Sequence, residues 1–132
     1  MENCIFCQIV AGKSPSYKVY EDYKFYGLLD IFPVVRGHVL LIPKQHYQWV
    51  HDVPEFGTYW ETALKVAKAV QKAMNVEWTQ FFTHGLIPHA HIHILPRYDD
   101  IKLAAFLPKE RIETPTKKEM NEIAEKIRRA LK

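Results

Sequence analysis

Histidine alternates with apolar residues between positions 89 and 93, and this pattern constrains the fold more than any other part of the chain. The run reads His-Ala-His-Ile-His and lies between Pro88 and Pro96. Alternation with period two predicts a β-strand over residues 89–95, because successive side chains of a strand point to opposite faces. We therefore expect the three imidazoles on one face, each about 7 Å from the next.

Three histidines on one strand face indicate a chemical role. Imidazole can act as a nucleophile or proton carrier near neutral pH without a large pKa shift, and burying three of them as core is costly. The row also offers metal ligands, although successive residues on one straight strand suit a single tetrahedral or octahedral ion poorly. On this run alone, nucleophilic catalysis and metal binding both stay open.

Composition and charge limit the class of protein. The chain has 132 residues, 48% of them hydrophobic, which predicts one domain over residues 1–132. The formal net charge of +3 suits an anionic small molecule at least as well as nucleic acid. The basic residues after position 116 are interleaved with glutamates, as on the solvated side of a helix, so no nucleic-acid partner is expected.

The sequence carries no signal for a membrane or for secretion. No apolar run approaches the roughly 18 residues of a membrane span, and the N-terminal residues lack a signal-peptide design. Cys4 and Cys7 are therefore expected to be thiols or metal ligands and not a structural disulfide. We expect a soluble, cytoplasmic protein with no membrane partner.

Four further segments have the composition of strands. They lie at residues 17–21, 25–30, 39–43 and 78–83. The first two are expected to form an antiparallel hairpin, and Pro43 is expected to end the third.

Two segments before the histidine run have helical patterns. Residues 4–11 predict a short helix, and residues 54–75 place apolar side chains at spacings of three and four. Pro54 is expected in the first turn of the long helix and Asn75 at its end.

The C-terminal part predicts one more helix and completes the fold class. Thr116 followed by Glu119 is a capping-box pattern, which opens a helix over about residues 116–131. Residues 100–113 carry no assignable pattern. Hairpin-forming strands and one long helix predict an α+β fold, an antiparallel meander sheet with a long central helix and a C-terminal helix.

Segments outside the histidine run complete a known pattern. They are residues 4–12, 20–22, 29–30 and 37–46. With residues 89–97 they resemble the histidine triad (HIT) family, most closely its Hint-like branch with zinc-carrying members. The resemblance covers residues 4–98 in the family's order, and the HIT-like fold agrees with the one predicted above.

The resemblance implies a homodimer with a continuous sheet and a purine nucleotide (AMP or GMP type) as ligand. It implies a hydrolase or nucleotidyl transferase that cleaves at the α-phosphate of a nucleoside phosphoramidate or related nucleotide. His91 is then the nucleophile that forms a covalent nucleotidyl-histidine, His93 binds phosphate oxygens, and His38 supports the histidine network. Asp30 corresponds to the ribose ligand. The base-binding wall corresponds to Ile5, Phe6, Leu28 and Ile31.

These roles agree with elementary chemistry. A histidine nucleophile divides one displacement into two steps, and its attacking nitrogen must be unprotonated. The two oxygens of Asp30 can each accept a hydrogen bond from a vicinal diol. The alternative for Asp30 is a turn or capping residue. Without the resemblance, the apolar quartet would be interpreted as core.

The resemblance also implies a structural zinc ion, held by Cys4, Cys7, His46 and His89. The two-residue gap between the cysteines lets both sulfurs reach one tetrahedral ion. The distances along the chain to the two histidines are unlike those of a zinc finger, so spacing alone leaves a reduced thiol pair packed against the sheet as the alternative. No organic cofactor is expected.

One loop departs from the family pattern. Many members carry a longer polar loop before the first triad histidine, whereas residues 83–88 here are short and mostly apolar. Gly85 could still offer a backbone N–H to a phosphate, and Thr83 or His84 a side-chain donor. His51 and His84 match no family position and are expected on the surface or in loops.

The departure keeps two other functions open. The first is a nucleotide-binding adaptor protein with little turnover. The second is a catalytic metal centre in the histidine row, which the lack of an acidic ligand in the same motif disfavours.

Overall fold

The computed structural model describes residues 3–98, 107 and 112–132. Its strands are β1 (Lys18–Glu21), β2 (Phe25–Leu29), β3 (Val39–Pro43), β4 (Trp78–Thr83) and β5 (Ile92–Arg97). Its helices are α1 (Ile5–Val10), α2 (Phe56–Met74) and α3 (Lys117–Ala130), with a 3-10 turn at Val50–Asp52. Of these helices, none has the length and apolar character of a membrane span.

The strands form one antiparallel sheet in the order β1-β2-β3-β5-β4. The first three strands make the predicted meander. After α2 the chain returns at the outer edge as β4, and β5 then inserts between β4 and β3. This order places the histidine strand inside the sheet, with His93 opposite Leu40 of β3 and Phe82 of β4.

Helices cover one face of the sheet. The long helix α2 buries Tyr59, Ala63, Val66, Ala67 and Val70 against the strands and α3. Each of the larger apolar side chains contributes about 1.5–3 kcal/mol when fully buried. The hydroxyl of Tyr59 donates to the carbonyl oxygen of Leu41 at 2.7 Å, which ties the helix to β3.

The short helix α1 packs on a second apolar cluster beside the histidines. Phe6 and Ile9 of α1 join Tyr26 and Leu28 of β2, together with Leu40 and Ile42 of β3. The ring of Phe6 lies 5.6 Å from that of His89 and 5.5 Å from that of His91. Burial of α1 therefore holds the N-terminal cysteines next to the histidine run.

The histidine strand begins later than its alternation predicts. It starts at Ile92 and not at residue 89, because the preceding backbone bonds to loops. The amide of Ala90 donates to the carbonyl of Tyr47 at 2.7 Å, and that of His89 to Ile87 at 2.8 Å. The ring centroids of His91 and His93 are 4.9 Å apart, closer than the spacing expected for parallel side chains of one straight strand.

The helix ends confirm two of three sequence predictions. Asn75 adopts the left-handed conformation (φ 55°) that ends α2. Thr116 and Glu119 form the predicted capping box of α3. The prediction for Pro54 was wrong: Glu55 is the N-cap of α2, also at φ 55°, so Pro54 lies outside the helix.

Candidate active site and metal cluster

The environment of His91 fixes which of its nitrogens is free. Its Nδ1 donates to the carbonyl oxygen of His89 at 2.8 Å, so the lone pair of the neutral ring is on Nε2. That Nε2 is buried and has no hydrogen-bond partner among the described residues. Burial also lowers the pKa of His91 below its ordinary value of 6.5, which keeps the ring neutral. A neutral imidazole with a free lone pair on Nε2 can act as a nucleophile.

A second pair of histidines forms a hydrogen-bonded relay beside this nitrogen. The amide of Val34 donates to Nδ1 of His38 at 3.1 Å, so Nε2 of His38 carries the proton and donates to Nδ1 of His93 at 2.8 Å. The remaining proton of His93 is then on Nε2. The ring of Phe82 stacks on His93 at 4.2 Å and holds it in place.

His84 joins this group, although the sequence analysis expected it on the surface or in a loop and offered it only as one of two possible side-chain donors. It is exposed and follows β4, yet its Nε2 lies 3.0 Å from Nε2 of His93, and its ring lies 4.8 Å from that of His91. The available signal is strand register: Thr83 pairs with Ile92, so the next residue borders the start of β5. His51, in contrast, is exposed.

The candidate residues for binding the nucleoside lie in two segments of the chain, residues 5–6 and 28–31. Asp30 follows β2, accepts the amide of Phe32 at 2.9 Å through Oδ1, and places Oδ2 3.7 Å from Nε2 of His38. Ile5 and Ile31 are exposed, with 48% and 55% of their surface accessible. The other two candidates for the base-binding wall, Phe6 and Leu28, are buried in the core.

Gly85 is sterically required in the short loop. A Cβ atom at this position would lie 2.3 Å from the ring of Trp49. The absence of a side chain lets Trp49 pack directly on the backbone of the loop that carries His84, and this contact fixes the loop next to the histidines.

The two cysteines and two histidines implied as metal ligands converge. Their donor atoms, Sγ of Cys4 and Cys7 and Nδ1 of His46 and His89, all lie within 4.8 Å of one another. Nδ1 of His89 is 3.2 Å from Sγ of Cys4 and 3.1 Å from Nδ1 of His46, and Nδ1 of His46 is 3.3 Å from Sγ of Cys7. Nε2 of His89 donates to the carbonyl of Pro43 at 2.8 Å, which leaves the Nδ1 lone pair facing the cysteines.

This donor set fits zinc. Bonds of about 2.3 Å to sulfur and 2.0–2.1 Å to nitrogen in a tetrahedron separate neighbouring ligand atoms by about 3.3–3.8 Å. Burial raises the pKa of the Cys7 thiol, so its thiolate form needs a nearby cation. His89 connects the two clusters, because its imidazole faces the cysteines while its carbonyl accepts the proton of His91.

The buried histidines predict an acid-labile fold. Burial lowers the pKa of His38 to about 4 and that of His93 to about 2, against 6.5 for an ordinary histidine. Below pH 6.5 the unfolded chain therefore binds protons that the folded chain does not. The free energy of unfolding should fall as the pH drops from 6.5 towards 4, by up to about 1.4 kcal/mol per pH unit for each histidine.

Urea unfolding of the wild type and of His38→Asn at several pH values between 7.5 and 4.5 measures this effect. The variant should lose part of the pH dependence, whereas His51→Asn, a change at an exposed histidine, should keep all of it. If the free energy of unfolding depended on pH equally in wild type and His38→Asn, His38 would not contribute to the loss of stability at low pH.

Comparison with known proteins gives consistent matches. A family model described as the HIT domain matches residues 11–100. The chain is 35% identical over 103 residues to an adenosine 5′-monophosphoramidase of Saccharomyces cerevisiae, in an alignment that covers 74% of this chain and 64% of the yeast protein.

Solved structures match over nearly the whole chain. A Hit-like protein involved in cell-cycle regulation from Bartonella henselae superposes with a TM-score of 0.83 at 30% identity, covering 98% of this chain and 97% of that one. A zinc-bound histidine triad family protein from Mycobacterium smegmatis gives a TM-score of 0.78 at 29% identity, covering 98% and 94%.

Proposed function

This chain belongs to the HIT domain family, and on that basis we propose that it is a nucleotide-binding hydrolase of the phosphoramidase type. The observation that carries the proposal is the unpaired, buried Nε2 of His91, held in one tautomer by the carbonyl of His89. The substrate is a nucleoside phosphoramidate or related nucleotide, cleaved at the α-phosphate. The yeast relative named as an adenosine 5′-monophosphoramidase supports this class.

The reaction proceeds in two displacements. The Nε2 lone pair of His91 attacks phosphorus, and the bond from phosphorus to the leaving amine breaks. The amine departs with its electron pair and takes up a proton from solvent water. The proton of His91 stays on Nδ1 and donates a hydrogen bond to the carbonyl of His89, which stabilises the charged ring of the nucleotidyl-histidine. Water then attacks phosphorus and loses a proton to solvent, the phosphorus–Nε2 bond breaks, and AMP leaves with His91 neutral again.

His93 and His38 stabilise the phosphoryl group. The Nε2 proton of His93 is donated to a non-bridging oxygen as negative charge develops there. His38 holds His93 in the orientation and tautomer that this donation needs. A preorganised donor of this kind contributes about 3–4 kcal/mol to the transition state.

The nucleoside binds beside the relay. Asp30 accepts hydrogen bonds from the two ribose hydroxyls, and the exposed Ile5 and Ile31 contact a purine base. Phe6 and Leu28 support that surface from the core. The backbone N–H of Gly85 faces the phosphate.

Cys4, Cys7, His46 and His89 hold a structural zinc ion, as in the Hint-like branch. The fit of the four donor atoms to a tetrahedral ion supports the assignment, together with the zinc-bound relative from Mycobacterium smegmatis. A bound ion would hold His89 in place, and the carbonyl of His89 fixes the tautomer of His91. No organic cofactor takes part.

Residues 1–132 form one HIT-like domain, and two copies of the chain form the functional homodimer. The protein acts in the cytoplasm. Within the described residues β4 is an outer strand of the sheet, paired only with β5. The exposed apolar Trp78 of β4 and Leu64 of α2, a helix that packs against β4, support pairing of this edge with a second copy. Cysteines that serve as metal ligands and form no disulfide fit the cytoplasm.

Hydrolysis of adenosine 5′-phosphoramidate tests the function. Purified protein should release AMP with multiple turnovers, measured by chromatography, and the guanosine analogue should report base preference. The short apolar loop at residues 83–88 favours one other candidate, a nucleotide-binding adaptor. Stoichiometric AMP binding without turnover would support the adaptor and contradict the hydrolase.

A further inference from the structure

Three imidazoles form a chain with a backbone N–H at each end. The amide of Val34 donates to Nδ1 of His38 at 3.1 Å, and the amide of Leu86 donates to Nδ1 of His84 at 3.2 Å. His93 lies between the two histidines. A neutral imidazole has one N–H and one lone pair, so an end histidine that accepts at Nδ1 carries its proton on Nε2.

This proton arrangement leaves two donors facing each other. The Nε2–H of His38 donates a hydrogen bond to Nδ1 of His93, so the proton of His93 is on Nε2. The proton of His84 is also on Nε2, because its Nδ1 accepts from Leu86. These two Nε2 atoms are 3.0 Å apart, and two N–H groups at this distance cannot satisfy each other. Among the residues that the structure describes, none supplies an acceptor between the two N–H groups.

We propose that His84 is a phosphate-binding residue, whose Nε2–H and that of His93 donate together to an anionic phosphoryl oxygen. The inference rests on the proposed function and adds a ligand to it. Side-chain nitrogens of His84, His91 and His93 lie within 4.8 Å of one another, so an oxygen held by the two donors belongs to a phosphoryl group next to the nucleophile. His84 supplies a side-chain donor within this short, mostly apolar loop.

A metal ion is the competing occupant of these three histidines, and the relay disfavours it. A metal needs the lone pair of His93 on Nε2, which would move the proton of His93 to Nδ1. That proton would then face the N–H of His38 at 2.8 Å. The amide of Val34 prevents His38 from reversing, because it occupies the acceptor position on Nδ1. The arrangement of protons therefore selects an anion.

Calorimetric titration of the full chain with AMP and with adenosine tests the proposal. His84→Phe keeps a ring but removes the donor, and His84→Gln restores an N–H near the position of Nε2. The phenylalanine variant should bind AMP about ten- to a hundredfold more weakly, the value of one hydrogen bond to a charged group, and adenosine as well as wild type does. The glutamine variant should recover most of the AMP affinity.

His51→Gln is the matched control, because it removes another exposed histidine and should change neither affinity. Unchanged AMP affinity in His84→Phe would overturn the proposal, and so would an equal loss for AMP and adenosine, which indicates a general structural role. AMP affinity that chelation abolishes in wild type but not in His84→Phe would assign the cluster to a metal. Turnover is measured separately: a wild type that binds AMP without hydrolysing phosphoramidate refutes the hydrolase, while the ratio of affinities still decides the role of His84.

Discussion

His91→Ala should lower kcat/KM for adenosine 5′-phosphoramidate by about 10⁴-fold to 10⁶-fold, the range expected when the nucleophile of a covalent enzyme is removed. Only Nε2 of His91 combines a lone pair, a fixed tautomer and no partner within the described part of the chain. His38, His84 and His93 each carry a proton on Nε2. None of these three imidazoles can therefore replace His91 without a change of tautomer.

Binding separates this loss from a loss of structure. His91→Ala should retain AMP affinity within a few-fold, because the nucleotide contacts are made by other residues. His51→Ala should keep full activity. Residual activity of His91→Ala within tenfold of wild type would exclude His91 as the nucleophile and direct attention to direct attack by water.

Removal of zinc should destabilise the protein strongly. A metal that binds only the folded state at a thousandfold above its Kd adds about 4 kcal/mol. For a chain of 132 residues, this corresponds to a fall in Tm of about 10–20 °C. Calorimetry with and without a strong chelator measures the shift, and elemental analysis should give one zinc per chain before treatment.

Variants of the cluster give an independent test. Cys4→Ser and His46→Ala should each lose the zinc and most of the effect of the chelator on Tm, while His51→Ala should keep both. The loss of zinc should also lower activity, because His89 orients His91. If purified wild type contained no metal and the chelator left its Tm unchanged, Cys4 and Cys7 would be a reduced thiol pair and not zinc ligands.

Local signals predicted most of the secondary structure. Strand β3 and strand β4 have their predicted bounds, Asn75 ends α2, and the capping box opens α3. Each depends on neighbouring residues: alternation, a left-handed cap, or a reciprocal side-chain bond. The start of the histidine strand did not follow, because its first amides bond to Tyr47 and Ile87, and no sequence pattern encodes those partners.

The site divides in the same way. The alternating histidines indicated a chemical role for their strand, whereas the role of His91 as nucleophile and the metal ligands came from the family resemblance. The convergence of these ligands depends on long-range contacts. Cys7 contacts His46, which is 39 positions further along the chain, and His89, which is 82 positions further along. The sequence offered His84 only as one of two possible donors in the loop, because its position beside His93 depends on strand register.

The stereochemical course at phosphorus tests the nucleotidyl-histidine most directly. One diastereomer of an adenosine 5′-phosphoramidothioate, hydrolysed in water enriched in heavy oxygen, yields a product whose configuration at phosphorus can be assigned. Two successive in-line displacements, by His91 and then by water, should give retention of configuration. Inversion would mean a single displacement by water and would contradict covalent catalysis by His91.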